Sequence, residues 1–249
     1  AGCQWGNSWD LEVPLYFAPP DFAETPSLKR SNAFQIVGEE CKSVRSGVGL
    51  LDITGFSRFE VSGPNAEAWL NKVMASKLPN PGRASLAPML SEEGKLKGDL
   101  TIFNWGDGTW WIMGSYYLRA WHMRWFNDHL TDGVSILDLG ENWAGFSLSG
   151  PKSKEVISRI TDFPVDELKF MSCANMDIGL IKAKVGRISV TGELGYEINC
   201  RIGDHIGLRR LLLEAGAECG IREFGFNALL SLRLEKGFGI WSAEFTQGY

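Results

Sequence analysis

A six-residue phrase occurs twice in this chain. Phe59-Glu-Val-Ser-Gly-Pro64 returns as Phe146-Ser-Leu-Ser-Gly-Pro151, 87 residues later. The first copy alternates apolar and polar residues and then stops at Gly-Pro, the signature of a strand that ends abruptly. After it, Ala66, Trp69, Leu70, Val73 and Met74 fall at helical spacing. After the second copy, Val156, Ile157 and Ile160 do the same. Proline suits the first turn of a helix, where its missing N–H has no partner to lose. Two copies this far apart are no solenoid. The repeat therefore predicts two related strand–helix units, an α+β chain of antiparallel sheets with helices packed on them.

The remaining elements are less regular. Pro14, Pro19, Pro20 and Pro26 punctuate residues 1–30, which read as a loop-like connector pressed against a core, because proline fits neither a helix interior nor a central strand. A helix is expected over residues 34–46, ending at Gly47, and a strand over Phe56–Ser62. Strands at Leu100–Phe103 and Thr109–Met113 flank the turn Gly106-Asp107-Gly108. A helix over Leu118–Leu130 follows. Strands are expected at Leu180–Val185, Arg187–Thr191 and Gly195–Cys200, then a helix carrying Leu211, Leu212, Ala215 and Cys219, and a last one over Asn227–Lys236.

Composition removes several functions. With 249 residues the chain can bury a sizeable core. Its net charge of −5 is the wrong sign for a generic nucleic-acid binder. No uncharged apolar run reaches the length of a membrane span. The chain starts at Ala1 with no signal-peptide pattern, and reads as a fragment or a processed chain. Five widely spaced cysteines form no Cys-x-x-Cys pair, so neither a zinc site nor a disulfide framework is expected, and a reducing compartment fits best. His122 and His129 read as packing or helix-surface residues. With His205 they are the only histidines, too few for a His-rich metal site or a His-based triad. Five of the ten tryptophans lie between Trp105 and Trp125, where they can build a core or wall a pocket for a planar ligand. No Rossmann glycine fingerprint, P-loop or Gly-x-Ser-x-Gly elbow occurs.

Three segments can carry chemistry. In Gly94-Lys-Leu-Lys-Gly-Asp99 a glycine-flanked turn delivers Asp99 to the start of an apolar strand. That carboxylate either sits half-buried at a pocket edge, able to stabilise a cation or take a proton from an amine, or caps its own turn. In Val190-Thr-Gly-Glu193-Leu-Gly-Tyr-Glu197-Ile-Asn-Cys200, strand alternation places Glu193, Gly195, Glu197 and Asn199 on one face and Leu194, Tyr196 and Ile198 on the other. The first face is either solvated or a carboxylate surface able to grip an amino-pyrimidine edge. In Ser231-Leu-Arg233-Leu-Glu235-Lys-Gly237, Arg233 shares a helical face with Phe226, Leu230 and Gly237. A buried arginine needs a partner, either an internal carboxylate or an anionic ligand.

Together these segments resemble the folate-binding module of the aminomethyltransferase superfamily, founded on the glycine-cleavage T-protein, with a nearer likeness to the C-terminal half of dimethylglycine and sarcosine dehydrogenases. The stretches that carry the resemblance are Trp9–Ala18, Gly49–Thr54, Phe59–Pro64, Ser85–Leu90, Gly98-Asp-Leu100, Thr191–Glu197 and Ser231–Gly237. They run in family order over nearly the whole chain.

The resemblance implies two related antiparallel-sheet-plus-helix domains of the folate-binding T-protein type around a central tetrahydrofolate channel, with the C-terminal β-barrel missing. Residues 1–30 would be a connector. Residues 31–50 with 141–249 would form the first, discontinuous domain, and 51–140 the second. Asp99 resembles the family's catalytic aspartate. Glu197 resembles the glutamate that holds the pterin, with Glu193, Tyr196 and Arg233 as further cofactor-binding candidates. The family often has tyrosine where Val190 stands. The implied activity is a tetrahydrofolate-dependent one-carbon (aminomethyl or methylene) transferase acting on a methylated amine or its imine. FAD would belong only to a separate, fused or associated flavin domain, and no nucleic acid or membrane partner is implied. The setting would be the cytoplasm, or the mitochondrial matrix in a eukaryote. Alternatives are a stand-alone aminomethyltransferase or folate-dependent demethylase of a methylated osmolyte, a non-catalytic folate-binding protein, and a purely structural module. Lys236-Gly237-Phe238 departs from the Lys-Gly-Cys of the family's iron–sulfur assembly branch.

Overall fold

The computed structural model describes residues 2–8, 10–241 and 243–245; Trp9 of the first family-like stretch lies outside them. In chain order the elements are β1 (Cys3–Ser8), β2 (Leu11–Phe17), α1 (Ala33–Ser46), β3 (Gly49–Asp52), β4 (Ser57–Ser62), α2 (Ala66–Val73), β5 (Arg83–Leu90), β6 (Leu96–Asn104), β7 (Trp110–Gly114), α3 (Arg119–Asp128), β8 (Ser135–Asp138), β9 (Trp143–Ser149), α4 (Ser153–Ser158), β10 (Cys173–Ile178), β11 (Ile181–Gly186), β12 (Gly195–Arg201), α5 (His205–Ala215), β13 (Arg222–Glu223) and α6 (Phe226–Glu235). They form an α+β fold of three sheets ordered β1-β2, β10-β11-β12-β9-β3-β13 and β5-β6-β7-β4-β8. Every pairing is antiparallel except the short one between β13 and β3. No closed barrel forms among the described residues.

The repeated phrase supplies one interior strand to each large sheet. β4 lies between β7 and β8, and β9 lies between β12 and β3. Each is followed by a short helix, α2 or α4. Gly63 and Gly150 explain the shared glycine. Both have left-handed backbones, φ 110° and 128°, and a Cβ on either would sit 2.4 Å from a backbone oxygen, Gly133 O or Gly47 O. No side chain fits there. The prolines precede the helices rather than entering their first turns.

Periodicity accounts for the cores. Trp69 and Leu70 of α2 and Phe126 of α3 pack on Phe59, Leu100 and Ile102 of the five-stranded sheet. Leu208 and Leu212 of α5 and Val156 and Ile157 of α4 pack on Leu148 and Ile198 of the six-stranded sheet. A third core joins the two sheets and takes up the tryptophans: Trp105, Trp111 and Trp143 pack with Phe103, Met113 and Cys173. Trp105 stacks on Phe103 at 5.3 Å and Trp111 meets Trp143 edge-on at 4.6 Å.

Two stretches differ from the sequence reading. β1 and β2 pair as an antiparallel two-stranded ribbon where the sequence suggests a loop. Pro14 is tolerated there because a two-stranded ribbon has only edges, and the ladder is irregular between Gln4 and Trp5, beside the Trp5–Pro14 pair. The buried Glu40 carboxylate of α1 holds this ribbon to α6, accepting the N–H of Phe17 at 2.6 Å and of Gly225 at 3.0 Å. Arg187–Thr191 is irregular rather than a strand. Its Ser189 and Thr191 hydroxyls bond one another at 2.7 Å, and Ser189 bonds Ser149 at 2.9 Å, a side-chain substitute for ladder pairing. β3, β5, β8, β10 and the short β13 carried no clear periodic signal.

Candidate functional site

A cavity of about 910 Å³ is lined by β2, the cavity-facing side of β6, the end of β7, the 188–193 turn, β12 and α6. Its walls are mostly apolar side chains, among them Leu86, Met113, Phe170, Val190 and Leu230. No tryptophan of the described residues lines it; Trp105 and Trp111 lie in the core between the sheets and Trp110 in the core under α2 and α3.

Asp99 lies within β6, not at its first residue, opposite Pro88 of β5. Strand alternation turns Gly98, Leu100 and Ile102 toward the helices and Asp99 and Thr101 toward the cavity. The Asp99 side chain is open to the cavity, and no described residue donates a hydrogen bond to it. Burial alone raises its carboxyl above the ordinary aspartate value. It does not cap a turn.

Glu197 comes from the other large sheet. It sits in β12 between Gly186 of β11 and Ser147 of β9, 6% exposed. The face predicted to be either solvated or ligand-gripping is buried at Gly195, Glu197 and Asn199. Desolvation pushes the Glu197 carboxyl up to about 7, against the pull of the Arg58 charge. Like Asp99, it lines the cavity and is the acceptor in no side-chain hydrogen bond within the described protein.

The other candidates separate. Glu193 lines the cavity from the turn before β12, but Arg45 of α1 holds its carboxylate, and Lys236 Nζ lies 3.9 Å away. Arg45 also pairs with Glu235. Arg233 lines the cavity with Phe226, Leu230 and Gly237, the face read from the sequence. It is 5% exposed. Its Nη1 donates to the Phe238 carbonyl at 3.0 Å and to Glu244 at 2.6 Å, while its Nε is buried without a partner. Tyr196 does not reach the cavity. It is packed in the core on the opposite face of β12, with Ile198 and Leu148. Alternation that turns Glu197 inward to the cavity must turn Tyr196 away.

The sequence reading missed Arg58. It is fully buried in β4 and donates from Nε to Asn199 Oδ1 at 2.8 Å, from Nη1 to the Thr54 and Phe56 carbonyls, and from Nη2 to the Ile53 carbonyl. Burial lowers it to about 10. The strand alternation at Ser57-Arg58-Phe59-Glu60 marks Arg58 as outward-facing; only the approach of the second sheet makes that side an interior. Of the two places the sequence leaves open for His122, packing or helix surface, it takes the first. It is fully buried behind Gly98 and Gly114 with both ring nitrogens unpartnered, and desolvation lowers it to about 4.

The chain matches the model of the GCVT N-terminal domain over residues 1–249. It is 31% identical to mitochondrial dimethylglycine dehydrogenase of Mus musculus, over 97% of this chain and 29% of that protein. It is 31% identical to an aminomethyltransferase of Geobacillus sp. strain WCH70, over 86% of this chain and 60% of that one. Its fold resembles glycine cleavage system aminomethyltransferase T from Bartonella henselae, with a TM-score of 0.83 at 22% identity, over 99% of this chain and 62% of that one. Heterotetrameric sarcosine oxidase from Corynebacterium sp. U-96 is a more distant likeness, TM-score 0.56 at 18% identity, over 77% and 96%. The chain thus spans less than a third of the dehydrogenase and about 60% of the aminomethyltransferases.

Proposed function

The chain belongs to the GCVT N-terminal domain family, and from that premise we propose that it is a tetrahydrofolate-dependent one-carbon transferase module of the dimethylglycine dehydrogenase kind. The observation that carries this reading is the meeting, in one cavity, of Asp99 from the five-stranded sheet and Glu197 from the six-stranded sheet, both without a hydrogen-bond donor of their own.

The cavity suits a reduced folate. Its volume falls in the roughly 300–1,000 Å³ range of small-molecule sites. A buried carboxylate with no internal donor is costly unless a ligand supplies one, and an amino-pyrimidine edge offers two parallel N–H groups to Glu197. Arg233 brings a cation to the same wall. Val190 and Phe170 supply apolar wall for a planar ring. Bound there, the cofactor supplies the nitrogens that receive the one-carbon unit. Asp99, when ionised, stabilises the positive charge of an amine or iminium donor, and it can accept the proton released beside it. With no hydrogen bond of its own to break, its carboxylate is available for both roles. The apolar walls exclude water and strengthen the charge interaction.

The domain division is part of the proposal. The six-stranded sheet would anchor the first, discontinuous folate-binding domain and the five-stranded sheet the second. The first boundary then falls after Asp52 rather than residue 50, because β3 pairs with β9 along its full length. The amine donor would be oxidised by a partner domain or subunit, fused or separate, as the names dehydrogenase and oxidase of the relatives suggest; a flavin there is what the sequence resemblance implies. A cytoplasmic or mitochondrial-matrix setting accompanies it; no described helix is long and apolar enough to cross a membrane.

Isothermal calorimetry with tetrahydrofolate, on this chain and on any longer polypeptide containing it, is the test. Saturable heat at one site is expected. No heat in either protein would sink the reading.

A further inference from the structure

Arg58 contacts no cavity ligand in the reading above, yet it is the most completely buried cation of the described chain. Burying a guanidinium is costly unless its donors are used and its charge is answered. Its donors are used. Three of its four partners are backbone carbonyls of the 53–56 loop, and the fourth is the Asn199 amide on β12. None is a carboxylate, so the charge is held in place but not neutralised by contact.

The carboxylate that answers it is Glu197, two residues before Asn199 on the same face of β12. Of the cations near Glu197, Arg58 is the one whose charge acts on it; Arg233 lines the same cavity but is paired with Glu244 at 2.6 Å. β9 and β11 present Ser147 and Gly186 opposite it. Asp99 and Glu193 share its cavity, Glu193 already engaged by Arg45. Around Arg58, Asp52 is taken by His205 at 2.8 Å, and burial keeps the Cys200 thiol neutral by pushing it up to about 11. The approach of the two sheets depends on Gly145, where a Cβ would lie 2.7 Å from both Arg58 Nη2 and Asn199 Oδ1.

We propose that Arg58 is a positioning residue for Glu197: reaching from β4 to β12, it fixes a positive charge behind the cavity carboxylate and biases that carboxylate toward the ionised form that accepts ligand N–H groups. The effect on the carboxylate stands by itself; its consequence for binding rests on the folate reading. Arg58 thereby couples the alignment of the two sheets to the charge of the binding site.

The test follows the Glu197 titration in ligand-free protein by carbon-13 NMR of glutamate-labelled chain, with Glu197→Gln assigning the resonance. Arg58→Gln should raise the midpoint by at least about one pH unit, the low end of the effect of a nearby opposite charge, and Arg58→Lys by less. Tetrahydrofolate affinity of Arg58→Gln should fall at least about fivefold at neutral pH, less for Arg58→Lys, and recover at alkaline pH, following the midpoint. A folded Arg58→Gln protein with an unmoved midpoint overturns the proposal. Should Arg58→Gln fail to fold, Asn199→Ala is read the same way: it frees the guanidinium from β12, the midpoint should rise, and an unmoved one is equally fatal. Because the titration needs no ligand, absence of folate binding would sink the functional reading and leave this measurement intact.

Discussion

Asp99 and Glu197 face one cavity from two different sheets, and they are prepared differently. Asp99 sits in an open stretch of β6, and partial burial alone lifts its carboxyl. Glu197 is enclosed in β12, lifted to about 7 by desolvation and restrained by Arg58. The open carboxylate is free to meet a reacting group. The enclosed one is tuned to sit near the balance between its two protonation states, so that a pair of ligand donors can decide it. A reacting group and a gripping group therefore need not differ in residue type, only in how the fold surrounds them.

If that contrast is right, Asp99→Asn should cost the most activity: folate-dependent product formation falls at least about tenfold, and by as much as the roughly 10²–10⁴-fold worth of general acid–base help. Its melting temperature should hardly change, since the side chain accepts no hydrogen bond. Unchanged turnover would move the chemistry elsewhere. Glu197→Gln should weaken tetrahydrofolate binding by about tenfold or more, the loss of one or two charge-assisted hydrogen bonds, and calorimetry should show that its pH dependence is gone. Retained pH dependence would assign that dependence to another group.

Stability sharpens the same contrast. The folded chain takes up the Glu197 proton near 7, against 4.5 for an ordinary glutamate, so this residue makes stability fall as pH rises through that window. His122 acts in the opposite sense. Unfolded, it takes a proton near 6.5; folded, only near 4, so stability is lost as pH falls through that range. Each effect reaches on the order of 3 kcal/mol, and between 4.5 and 6.5 they oppose one another. Urea denaturation of Glu197→Gln should expose the acid-side loss due to His122, and His122→Leu the opposite slope due to Glu197. A flat profile in both variants would contradict both assignments. The smallest expected effect is that of Gly145→Ala, a loss of about 1–3 kcal/mol from overpacking against Arg58 and Asn199. An unchanged melting temperature would show that the sheets can part there at no cost.

Much of the scaffold was legible. The repeated Ser-Gly-Pro phrase located β4 and β9 and the helices after them, and the spacing of Trp69, Leu70 and Phe126 marked the faces that pack. Alternation in Gly195–Cys200 put Glu197 and Asn199 together on one side. It also put Tyr196 on the other, which is why Tyr196 lies in the core and not on the cavity. The pairing of β1 with β2 was hidden by Pro14 and the prolines after it, because residue preference cannot distinguish a two-stranded ribbon from a loop. The end of the Glu193 turn was equally hidden: nothing near Glu193 in sequence announces Arg45, 148 residues away.

What the sequence determined by itself was local: which residues make strands and helices, which side of each is apolar, and that two carboxylates stand within strands able to carry them to a surface. These follow from periodicities of two and 3.6, which act over a few residues. Only the tertiary structure decided that those surfaces are one cavity, that Arg58 meets Asn199 across 141 residues, and that a polar strand face becomes an interior. The physical reason is that desolvation and Coulomb forces depend on the distance between elements in space, and that distance exists only once the sheets have packed.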